Sequence, residues 1–194
     1  MKHTAACYVL AGAILLSAAL VAWGLTAGPS PAETYRAEKL QAVSDMVLQR
    51  QVIPSDYLRY LDDDLAASVA AYNQATDLLK DAYGHYAKDL LRGLFYEMFD
   101  DGNEDPGFYQ RPYLYYQAVD RLSTLALYEN APESFGSDPV LCSILAGERG
   151  GSAGLWASNI HEAWYVGDSL AQQAAEYFPL VEDLLSQLEL AMDS

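Results

Sequence analysis

Cysteine is nearly absent from this chain: Cys7 and Cys142 are the only two among 194 residues. Cys7 belongs to the N-terminal apolar stretch, so a single thiol remains beyond it and no disulfide can close there. That excludes a disulfide-stapled scaffold. Cys142 lies in Val140–Leu145 (VLCSIL), a setting that predicts a buried, inert thiol. Basic charge is also sparse, with 11 Lys and Arg against 27 Asp and Glu and a net charge of −16. Such a surface repels phosphate backbones and anionic headgroups, so nucleic acid is not an expected partner. No run alternates as a strand does, and beyond residue 27 no segment is long and apolar enough to cross a bilayer.

The first 27 residues are the opposite case. After Lys2 and His3 no charged side chain appears until Glu33, and Ala5–Ala27 is a 23-residue, almost wholly apolar run. At ~1.5 Å per residue this spans a hydrocarbon core of ~30 Å. Residues 1–27 therefore read as a signal-anchor helix, with Trp23 at the outer headgroup level, or as a signal peptide with Ala11–Ala22 as its apolar region. The anchor reading is preferred. Lys2 and His3 on the near side and Glu33 on the far side place residues 28–194 outside the cytoplasm in either case, at the membrane face or, after cleavage, secreted or periplasmic. A lipid-modified cysteine does not fit, because Cys7 comes before the apolar region Ala11–Ala22 rather than at its end.

Residues 28–194 read as one extracytoplasmic domain of all-α class, an up-and-down bundle of about four to six helices. Ser30-Pro31-Ala32-Glu33 has the form of a capping box with proline at the first helical position. The helix it opens runs to about Gln51 with Leu40, Val43, Met46 and Val47 inward, and Ile53-Pro54 breaks it. Ser55 or Asp56 is expected to cap a second helix. Its inner face reads Leu58, Leu61, Leu65, Val69, Tyr72, Thr76, Leu79, Tyr83, Tyr86, Leu90 and Leu94, a mean period of 3.6 that passes through Gly84 without a slip. Further helices are expected from Pro112 to about Asn130, over Val140–Ala146, over Leu155–Val166 and from Ser169 onward. The last carries Leu170, Ala174, Tyr177, Val181, Leu184 and Leu188 on one face, with a kink expected at Pro179. An echo at an offset of 56 residues, Tyr57-Leu58-x-Tyr60 with Tyr72 against Tyr113-Leu114-x-Tyr116 with Tyr128, raises the alternative of a duplicated helical hairpin.

Most catalytic motifs fail on context. Gly167-Asp168-Ser169-Leu170 spells the signature block of the GDSL esterases, yet no histidine follows Ser169, and helix capping explains the block better. His161-Glu162 opens a zinc-protease pattern whose fifth position is Tyr165, which removes the second imidazole. His85 and Asp89 form an i,i+4 pair without a third ligand, and Gly147–Gly154 lacks the Lys-Ser/Thr of a phosphate loop. Asp62-Asp63-Asp64 suits a helix N-terminus. The loop Asp101-x-Asn103-x-Asp105 is a candidate calcium site, since oxygen ligands at positions 1, 3 and 5 begin an EF-hand loop. Pro106 replaces the glycine and Pro112 the final glutamate of that pattern, so no resident cofactor is expected, and calcium is left as the one candidate metal.

Tyrosine is the residue in excess, with 15 copies. Phe108–Tyr116 (FYQRPYLYY) concentrates five aromatics around Arg111, and Tyr109, Arg111, Tyr113, Tyr115 and Tyr116 are the candidate partner- or ligand-binding residues. The expected function is a non-catalytic, membrane-anchored or exported partner-binding accessory protein, or a ligand-binding domain, with the membrane engaged through residues 5–27 and a protein as partner. The alternative is an exported hydrolase or lyase using carboxylates with His85 or His161.

Overall fold

The computed structural model describes residue 28 and residues 30–99, 111–149, 159–161, 164 and 168–193. The candidate membrane segment, residues 1–27, lies outside them. Among the described residues no helix is long and apolar enough to cross a membrane. Every regular element described is helical. The chain divides into two units, residues 1–39 and 40–194.

In the first unit the chain enters helix α1 (Pro31–Leu48) through the expected capping box. The Ser30 N–H donates to Glu33 Oε2 at 2.6 Å and the Glu33 N–H donates to Ser30 Oγ at 3.2 Å. Two orphan amides at the helix start are thereby satisfied reciprocally. The Ser30 amide, and then its hydroxyl, hold the Glu33 carboxyl below the usual carboxylate range.

The second unit holds the hydrophobic core. Leu40, Val43 and Val47 of α1 are buried, with Ser44 beside them and Met46 half-buried. The helix stops at Leu48, earlier than the sequence suggests, because Arg50 adopts φ 55°. The Arg50 N–H donates to Val47 O at 3.0 Å and the Gln51 N–H to Met46 O at 2.9 Å, the paired bonds of a Schellman motif. The connector that follows is held by the next long helix: the Asn73 side chain bonds both the N–H and the carbonyl of Ile53, and the Tyr72 hydroxyl donates to Gln51 O.

Ser55 and Asp56 do not cap an α-helix. They open a short 3-10 helix, Ser55–Tyr60, after which Leu61 is extended and Asp62 accepts the Leu65 N–H at 2.9 Å. The true N-cap of α2 (Asp63–Phe99) is therefore Asp62, whose carboxylate reaches an orphan amide that Asp56 would meet only if the intervening turn were α-helical. Helix α2 runs 37 residues, through Gly84, without interruption. Its buried face steps by four and three through Leu65, Val69, Tyr72, Thr76, Leu79, Tyr83, Ala87, Leu91 and Leu94, while Tyr86 and Leu90 are half-buried beside it.

Two helices pack antiparallel against α2. Pro112 occupies the first turn of α3 (Pro112–Leu125), which ends before Asn130 in a turn over residues 126–130. The Tyr115 hydroxyl donates to Lys88 O at 2.9 Å, and Lys80 Nζ lies 3.1 Å from Asp120 Oδ1, so α3 runs down α2 in the opposite sense. A single turn, α4 (Ala131–Ser134), and then α5 (Pro139–Arg149) follow, the latter packing on α3. Helix α6 (Asp168–Met192) passes through Pro179 as one element. It pairs with α2 through Ser68–Gln187 at 2.8 Å, Thr76–Tyr177 at 3.0 Å and Tyr83–Leu170 at 3.3 Å. Of its expected inner residues, Ala174, Tyr177, Val181, Leu184 and Leu188 are buried and Leu170, in the first turn, is half-buried.

Of the predicted helix over residues 155–166, positions 159–161 and 164 are described and are helical. Trp164 closes the core by packing on Tyr83, Tyr86 and Phe135 at ring separations of 5.3, 5.1 and 4.9 Å. The sequence echo does not correspond to a repeated unit: residues 57–60 form a 3-10 helix where 113–116 begin an α-helix, and Tyr72 is mid-helix where Tyr128 lies in a turn. Cys142 is half-buried rather than buried, because α5 turns Leu141 and Leu145 inward and leaves Cys142 on the flank.

Candidate functional site

Many of the tyrosines serve the core. Tyr72, Tyr83, Tyr115 and Tyr177 are buried, and each hydroxyl finds a carbonyl or a hydroxyl partner. The Tyr72 and Tyr177 rings stack at 6.2 Å. Burial raises the phenol pKa of both above its ordinary value, Tyr72 the more strongly. These are neutral hydrogen-bonding groups that tie helices together, as buried tyrosine requires.

This resolves the candidate binding residues into two kinds. Tyr115 is 8% exposed and packs between α3 and α2, so it belongs to the core and offers no surface to a partner. Tyr113 and Tyr116 are 61% and 57% exposed. Three apart in the first turns of α3, they share one face. Lys88 Nζ sits 6.0 Å from the Tyr116 ring centre, and the edge of Tyr116 meets Tyr115 at 5.3 Å. Arg111, immediately before the helix, is exposed. Tyr109 and the candidate calcium ligands Asp101, Asn103 and Asp105 lie outside the described residues.

His85 is exposed on α2 and His161 is half-buried. Among the described residues no three His, Cys, Asp or Glu side chains come together as a metal site. Ser169 lies in the first turn of α6.

A different constellation, without a motif to announce it, joins α3 to α5. Asp138 caps α5 by accepting the Leu141 N–H at 2.7 Å, and Pro139 takes the first helical position. The same carboxylate accepts two bonds from Arg121, one from Nε at 2.9 Å and one from Nη2. Its side chain is 7% exposed while that of Arg121 is 32% exposed. The bonds from Arg121, followed by those from backbone amides, hold the Asp138 carboxyl below its usual range against the opposing effect of burial. Arg121 is correspondingly raised. Beside this pair lies a cleft of about 360 Å³, lined by Arg121, Leu125, Tyr128, Asn130, Ser137 and Asp138 among others. The dipeptide Asp138-Pro139 is the available signal in the sequence, a cap followed by proline; its arginine partner is 17 residues upstream and carries no such mark.

No protein-family model matches this sequence, and neither a curated protein nor a solved structure is significantly similar to it.

Proposed function

We propose that this chain is a non-catalytic helical protein that works outside the cytoplasm as a partner-binding accessory component, either membrane-anchored through residues 5–27 or exported. In this reading residues 28–194 form an up-and-down bundle presented at the outer face of the membrane. The observation that carries it is the exposure of Tyr113 and Tyr116 on one face of α3. Two large rings stand exposed on one face while neighbouring Tyr115 is buried, and tyrosine is enriched in binding hot spots. Lys88 beside Tyr116 adds a cation in a chain of net charge −16, which favours a partner surface bearing carboxylates or aromatic rings.

The test is affinity purification from native membranes of the full chain and of a Tyr113→Ala/Tyr116→Ala variant. The reading requires a protein that co-purifies stoichiometrically with the parent and is lost from the variant, with helicity and melting temperature unchanged. Identical partners for both chains would overturn it. Fractionation addresses the anchor separately: the full chain should sediment with membranes and a chain beginning at Gly28 should not.

A further inference from the structure

The Arg121–Asp138 cleft has the composition of a small-ligand site, independent of the tyrosine face on which the partner reading rests. Arg121 has five N–H donors and Asp138 engages two of them, which leaves three. The guanidinium is held rigidly by a nearly buried carboxylate, so its position is set before any ligand arrives. The hydroxyls that line the cleft are committed as donors and open as acceptors. Ser134 Oγ donates to Asn130 O at 3.0 Å, Ser137 Oγ to Ser134 O at 3.2 Å, and the Tyr128 hydroxyl to Leu48 O at 3.4 Å. The exposed Asn130 amide supplies a donor and an acceptor.

The chemistry of a matching ligand follows from charge and from the mixture of donors and acceptors. Asp138 cancels the charge of Arg121, and the chain is strongly acidic, so an anion meets no net attraction. A cation finds the one lining carboxylate already engaged. An apolar molecule would strip water from the guanidinium and return no hydrogen bond. Hydroxyl groups both donate and accept, and they fit. The side chain of Leu125 and the ring of Tyr128 offer apolar contact for the C–H face of such a molecule. A volume of about 360 Å³ is at the small end of ligand pockets and suits a single ring.

We propose that the cleft between α3 and the start of α5 binds a neutral, hydroxyl-rich molecule the size of one sugar ring. Saturation-transfer NMR on the full chain, in a detergent without sugar headgroups, tests this with the methyl glycosides of glucose, galactose and N-acetylglucosamine, and with glucuronate as the anionic counterpart of glucose. At least one neutral glycoside should bind with a dissociation constant on the order of millimolar. Ser137→Tyr, which fills the cleft from its exposed rim, should weaken that binding at least tenfold without altering the melting temperature, and Asn130→Ala should weaken it by a smaller factor. Binding of glucuronate in preference to the neutral sugars, binding unchanged in Ser137→Tyr, or no saturation of any neutral probe at tens of millimolar would each overturn the proposal.

Discussion

At the scale of one residue, Arg50 is the least typical feature of the chain. It is the one described non-glycine residue with positive φ, at a position where helices usually place glycine. The left-handed conformation costs a side-chain-bearing residue about 1–2 kcal/mol. The side chain offsets this by donating from Nε to Leu127 O at 3.2 Å and from Nη1 to Val47 O at 3.0 Å, with its guanidinium 5.0 Å from the Tyr128 ring centre. Each bond from a charged donor is worth roughly 1.5–3 kcal/mol, so the contacts outweigh the strain. Both Arg50→Gly and Arg50→Ala should therefore destabilise the protein in urea unfolding. Alanine should be the worse by about 1 kcal/mol, because both substitutions lose the guanidinium and only alanine keeps the strained backbone. Equal losses would show that the backbone relaxes instead. The sequence around Arg50 holds no glycine to announce the turn, which is why periodicity alone carries α1 on to about Gln51 when it ends at Leu48.

Elements were legible where a period or a cap acts locally. Ser30–Glu33, the run through Gly84, Pro112 and the inner face of α6 all follow from spacing of 3.6 residues or from a side chain meeting a nearby amide. What escaped depends on contacts distant in sequence. The connector after α1 is fixed by Asn73 and Tyr72, about 20 residues on, and the end of α3 is followed by a turn tied to Arg50. The proposed binding face is half legible: clustering groups Tyr113, Tyr115 and Tyr116 together, but only helical phase separates the buried ring from the exposed pair. Gly84 tests the continuity of α2 directly. It lies mid-helix, and a Cβ built there meets nothing within 4 Å. Gly84→Ala should raise stability by about 0.5–1 kcal/mol, through the helix propensity of alanine and the reduced freedom of its unfolded chain. A fall in the urea midpoint would mean that flexibility at Gly84 is needed for packing against α6.

At the scale of the whole molecule, the net charge of −16 sets a background of self-repulsion against which particular ion pairs must work. Mild acid protonates some exposed carboxylates and relieves it, so at low ionic strength stability should hold or rise from about pH 7 to about pH 5, and added salt should reduce that difference. Asp138 acts in the opposite direction. Its carboxyl titrates below the usual range when folded, chiefly through Arg121, so its contribution is complete above the unfolded carboxylate pKa of ~3.9 and is lost as pH falls through the lower folded value. Glu33 has the same sign at the start of α1. Stability should thus decline steeply below about pH 4, and Asp138→Asn, which keeps a capping oxygen but no charge, should shallow that decline. At neutral pH the same substitution leaves Arg121 without its anion and should cost about 2–3 kcal/mol, less than the ~3–5 kcal/mol of a fully buried pair because Arg121 is partly solvated. Urea midpoints for the parent and Asp138→Asn from about pH 3 to about pH 7 decide the matter: parallel curves would remove Asp138 from any role in acid sensitivity, and curves that converge toward low pH identify the Arg121–Asp138 pair as the link between α3 and α5 that acid breaks.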